Sequence, residues 1–139
     1  MARDRVFQIA QAVVSVLCAV LVWRYNSLLE GTEFSGGRIT GALLNMADIA
    51  IPLFVIAFAT CFFRSRLSGV ISLAASLLAL PLYFYFVIPG PFRRIFPGEY
   101  SVPASANFIW DVSSMIGLIA LGVALCLSIR RLLPSRQNR

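Results

Sequence analysis

The chain has 139 residues, of which 59% are hydrophobic and 13% charged, about half the charged share of an ordinary globular domain. Its net charge of +6 is carried by arginine, with no lysine and no histidine. This removes imidazole acid–base chemistry and the commonest metal ligand. Because the arginines border apolar runs, it also argues against nucleic-acid binding.

Four apolar stretches, 6–24, 39–63, 67–88 and 104–129, each reach the length a helix needs to cross a bilayer core ~30 Å thick. The expected fold class is therefore all-α, an integral membrane four-helix up-down bundle. Residues 1–139 are read as a single transmembrane domain, with an ordered loop at 89–103 and a basic tail at 130–139. Backbone groups in lipid must bond internally, which helices achieve within each segment. The short alternating segments of a membrane barrel are not seen.

The first span follows Arg3 and Arg5, as a signal peptide would, but ends Leu21-Val22-Trp23-Arg24-Tyr25, a poor cleavage site. It is read as a retained helix. Gln8, Gln11, Ser15 and Cys18 recur at spacings that share one face. That face predicts helix–helix contact through side-chain hydrogen bonds, with a polar transport path as the lesser reading.

The second span is the most unusual. Gly41, Asn45, Asp48 and Pro52 share a face. Pro52 has no N–H to bond the carbonyl of Asp48, so an acid and a freed carbonyl fall together. An ionisable residue inside a span marks a functional site or a structural ion pair. Asp48 is expected to face the bundle interior and to pair with Arg24, Arg93, Arg94 or Asn45.

The third span carries Gly69, Ser72, Ala75, Ser76 and Ala79, a small-residue stripe that allows close helix approach. Pro81 is a candidate kink before Tyr83-Phe84-Tyr85-Phe86. The fourth span opens near Trp110 and Asp111 and carries a second small-residue stripe at Ser113, Gly117, Ala120, Ala124 and Ser128. An acid in the first turns of a helix is favoured by the dipole, which accounts for Asp111 alone. Its interest is that it falls on the same side as Asp48.

Sidedness follows from the arginines. Arg3, Arg5, Arg64, Arg66, Arg130, Arg131, Arg136 and Arg139 fall on one side, and Arg24, Arg38, Arg93 and Arg94 on the other. The excess places both termini in the cytoplasm of a multi-pass plasma membrane, read as a bacterial inner membrane. Trp23, Trp110, Tyr25, Tyr83, Tyr85 and Tyr100 then form an aromatic belt at the outer interface. The loop from Pro89 to Pro103 is rich in proline and aromatics and is expected to cap the outer end, with Arg93 and Arg94 reaching an acid or a lipid phosphate.

The size and the four spans are similar to those of the small multidrug transporters. Those proteins carry a membrane-embedded glutamate in the first helix. Gln8 and Gln11 stand there in this chain, so it is not assigned to that family.

No cofactor or metal site is expected. Cys18, Cys61 and Cys126 are unpaired in sequence and lie within spans. Two readings follow. One is a structural or accessory subunit that packs against membrane lipids and other membrane proteins or a second copy of itself. The other is a small transporter or lipid-binding protein with a polar pocket around Asp48, Asn45, Asp111, Arg93, Arg94 and Arg24. A membrane enzyme is weaker than both, for lack of histidine, paired thiols or metal-ligand spacing.

Overall fold

A computed structural model of the chain describes residues 2–30, 38–86 and 112–133. These residues are helical apart from short flanks: α1 at Ala2–Glu30, α2 at Arg38–Thr60, α3 at Ser65–Phe86 and α4 at Val112–Leu132. All four are long and apolar enough to cross a membrane.

The first helix is longer than its hydropathy suggests. It begins four residues before Val6 and continues six beyond Arg24. The extension is held by packing. Tyr25, Asn26 and Leu29 continue the buried face of Gln11, Ser15, Cys18 and Val22. That spacing of three and four keeps one stripe turned toward the other helices. The second and third helices run through Pro52 and Pro81 without interruption.

The helices form a ring in which each packs against its neighbours in sequence, and α1 also packs against α4. The backbones of the diagonal pair α1 and α3 stay apart, and the two helices meet through side chains, Tyr83 reaching Tyr25 and Leu21. Cross-links fix the directions. Cys61 near the end of α2 donates its thiol to the Gln8 carbonyl near the start of α1, at 3.2 Å. Ser68 Oγ donates to the Ala57 carbonyl at 2.6 Å across the tight turn between α2 and α3. Arg131 Nη1 donates to the Ser65 carbonyl at 3.3 Å, and the Arg130 guanidinium lies 4.2 Å from the centre of the Phe7 ring. Successive helices therefore run antiparallel, and the bundle is up-down. One end gathers the start of α1, the α2–α3 turn and the finish of α4, with Arg3, Arg5, Arg64, Arg66, Arg130 and Arg131. The opposite end holds Arg24, Arg38 and Asp48.

The core is made of small residues with a few large ones between them. Ala47, Ala50, Ala57, Ala75, Ala79 and Ala124 let the helices approach, while Phe54, Leu82, Tyr83 and Leu121 fill the space left between them. The small-residue stripe expected on the third span is buried in this way, as are Gly117, Ala120, Ala124 and Ser128 of the one expected on the fourth. Gly117 is the tightest point. A Cβ there would lie 2.7 Å from Tyr83 Oη and 2.9 Å from its ring edge, so only glycine admits the tyrosine.

The outward surface is apolar on every helix. Val13, Trp23, Ile49, Val55, Val70, Leu77, Ile119 and Ile129 are all exposed. A surface of this kind suits lipid and not water.

Candidate functional site at the Asp48 end

Two polar groups of residues meet near this end. The first is the contact between α1 and α2. Asn26 is buried on α1, and its Nδ2 donates to Asp48 Oδ1 on α2. Asp48 itself is exposed, as are Asn45 and Pro52 on the same side of α2. Asp48 is thus held at the seam between two helices while its side chain lies along the outside of the bundle.

This corrects the inward placement expected for Asp48. The helix turns its alanines inward, at Ala47, Ala50 and Ala57, and the acid, about 100° round from Ala47, falls at the edge of that face. Among the described residues its hydrogen-bond partner is Asn26, not Arg24 or Asn45. Asn45 points outward beside it, and Arg24 is exposed on α1. Arg93, Arg94 and Asp111 lie outside the described residues, as does the loop at 89–103. Asn26 was missed because the first span was taken to stop at Arg24. The regular buried spacing from Gln11 through Val22, continued one turn, reaches it.

The second group is a pair of stacked phenols inside the bundle. The rings of Tyr25 and Tyr83 are 4.7 Å apart and inclined by 27°. Both are buried, and Tyr83 Oη donates to the Leu21 carbonyl at a long 3.4 Å. These two tyrosines were expected in the interfacial belt. They turn inward because the cleft over Gly117 takes one ring and stacking takes the other. Trp23 and Tyr85 remain exposed at this end, where interfacial aromatics belong.

Several polar atoms in the interior have no protein partner: Tyr25 Oη and Asn26 Oδ1 at this end, and Gln11 Oε1 and Nε2, Ser15 Oγ and Ser72 Oγ. Each such group costs about 1–3 kcal/mol when left unsatisfied. The contact face expected on the first span at Gln11, Ser15 and Cys18 is therefore buried, but Gln11 and Ser15 make no side-chain hydrogen bonds on it.

The chemistry available here is limited. One carboxylate, one carboxamide and two phenols face no nucleophile–base pair. Among the described residues no three histidine, cysteine, aspartate or glutamate side chains gather as metal ligands. A cavity lined by Leu21, Arg24, Tyr25, Leu28 and Ser114 has a volume of 10 Å³, about the space of one water molecule. That is far too small for an organic substrate. In comparisons with known proteins, no family model, no curated protein and no solved structure matches the chain.

Proposed function

We propose that this chain is a multi-pass membrane protein acting as a structural or accessory subunit, and that it docks on another membrane protein through the outward side of α2. The observation that carries this reading is the exposed pair Asn45 and Asp48. The apolar span Thr40–Thr60 puts Asp48 eight residues from its nearer end, about 12 Å into the helix at 1.5 Å per residue. A charge at such depth is expensive in lipid, ~2.5 to 3.5 kcal/mol at a helix centre. One hydrogen bond from Asn26 does not remove that cost, because the rest of the side chain stays outside the bundle. A polar surface supplied by a neighbouring helix would. Such polar contacts between membrane helices are worth about 0.6 kcal/mol each on average, so Asn45 and Asp48 would act together with the apolar surface around them.

The arginine-rich end supports an orientation with that end, and so both termini, in the cytoplasm of the plasma membrane. The transporter reading rests on Asn45 and Asp48 alone, since the small cavity beside Tyr25 has space for about one water molecule.

The test is purification in mild detergent. The wild-type chain is expected to leave the membrane in a complex larger than itself. Asn45→Leu removes a polar contact without touching the core, and is expected to release a folded free chain. Recovery of the wild type as a monomer, indifferent to Asn45→Leu, would overturn the docking reading. A complex made only of identical chains would assign the same surface to a homo-oligomer. Orientation is tested separately. Cysteines placed at Ser35 and Ser101 should label from outside intact cells, and one at Ser135 should not.

A further inference from the structure

A groove on the outside of the bundle runs between α1 and α2 at the arginine-rich end, away from the Asp48 contact. Its walls are Ile9, Val13, Val16 and Val20 on one side and Phe58 and Phe62 on the other. Ala12, nearly fully buried, makes the floor. The depression exists because Ala12 is small where the two helices meet. Phe58 and Phe62, packed edge to face at 6.2 Å, stand up beside it. Its volume is about 540 Å³, within the range of ordinary ligand sites.

Three features define what fits. Every residue of the groove is apolar, which excludes a polar ligand. From Ile9 to Val20 it extends eleven residues, about 16 Å at 1.5 Å per residue. That is half of a hydrocarbon core ~30 Å thick, or one leaflet. The end of the bundle at which it opens is rich in arginine, with Asp4 the one acid there among the described residues. Arg5 lies four residues before Ile9 on the same face of α1, and is exposed. Arg64 in the turn after Phe62, and Arg66 at the start of α3, are exposed as well. Arg130, by contrast, is engaged over Phe7.

We infer that this groove is a site for one anionic phospholipid, with an acyl chain along Ala12 between the valines and the phenylalanines, and the headgroup at Arg5, Arg64 and Arg66. A second transmembrane helix fits less well, because the groove stops at one leaflet and ends in positive charge. The site rests on the chain being embedded in a bilayer, and uses residues other than Asn45 and Asp48.

Native mass spectrometry of the delipidated chain in detergent tests it, with phosphatidylglycerol and phosphatidylcholine of matched acyl chains as probes. One phosphatidylglycerol per chain is expected to bind about fivefold more tightly than phosphatidylcholine for each basic contact. Arg5→Gln should lower that preference by about the same factor. Val16→Trp fills the groove from an exposed position and should abolish retention of both lipids, with helicity unchanged by circular dichroism. Equal affinity for the two lipids, or a lipid retained regardless of Val16→Trp, would mean ordinary annular contact and would overturn the site. Failure of the underlying membrane reading looks different: the chain would then be extracted from membranes by alkaline carbonate without detergent.

Discussion

The polar residues of α3 and of α2 sit in helices of nearly equal length and similar apolar character, yet they meet opposite fates. Ser68, Ser72 and Ser76 on α3 are fully buried, whereas Asn45 and Asp48 on α2 are exposed. Half of the apolar stretch of α3 is buried in the bundle, against 28% for α2. Hydrogen-bond chemistry gives the reason. A serine can return its hydroxyl to a nearby helix carbonyl, as Ser76 does to Ser72 at 2.8 Å and Ser128 to Ala124 at 2.7 Å. It then behaves as a small residue that lets another helix come close. Only Ser72 Oγ on this face of α3 lacks a bond. A carboxylate accepts and cannot donate, and a carboxamide needs partners for both of its ends. Such groups must find another segment. Asp48 finds Asn26, while Asn45 on the same stripe stays exposed. Amides follow neither course uniformly: Gln11 and Asn26 on α1 are buried, whereas Asn45 on α2 is exposed.

The strongest way to break this contrast is to enlarge α3. Ser76→Leu forces bulk into a fully buried position and should cost about 1–3 kcal/mol, read as a fall of several degrees in the melting temperature in detergent. Asn45→Leu should leave the melting temperature of the isolated chain unchanged. If Ser76→Leu is tolerated equally well, α3 is not the packing face described here.

Gly117 sharpens the same point within α4. Gly117→Ala drives a methyl into the Tyr83 ring, which cannot swing away while stacked on Tyr25, and should cost about 1–3 kcal/mol. Gly122→Ala meets open space and should be neutral or stabilise by up to ~1 kcal/mol. Because the nearest atom to the new methyl is Tyr83 Oη, Tyr83→Phe should recover part of the loss in the double variant. Additive losses in thermal melts would place the clash elsewhere.

Asp48 gives a smaller effect on stability. Asp48→Leu strands Asn26 Nδ2 at the helix seam and should destabilise the isolated chain by about 1 kcal/mol. Asp48→Asn keeps an oxygen acceptor in place and should stay within about 0.5 kcal/mol of the wild type. Equal behaviour of the two variants would show that the Asn26 bond contributes nothing. The least change is expected from Tyr83→Phe alone, under about 0.5 kcal/mol, since its bond to Leu21 is long at 3.4 Å.

The four helices and their apolar character were legible in the sequence, because bilayer thickness sets a minimum run length that few other segments satisfy. The contact face of the first span and the small-residue stripes of the third and fourth were legible too, because side-chain direction repeats with the helix turn. Periodicity groups residues by face, but it does not say which face turns inward. Gly41, Asn45, Asp48 and Pro52 share a face as expected, but Asp48 does not turn inward, since the alanines at Ala47, Ala50 and Ala57 form a competing face that is buried. Tyr25 and Tyr83 read as interfacial by composition, and only the cleft above Gly117 draws them inside. Asn26 lay past the end of the hydropathy signal and became visible once α1 was seen to continue to Glu30. Hydropathy and length belong to one segment at a time and are fixed by sequence; the rotation of each helix and the partner of each polar atom depend on how four segments pack together, and only the tertiary structure decides them.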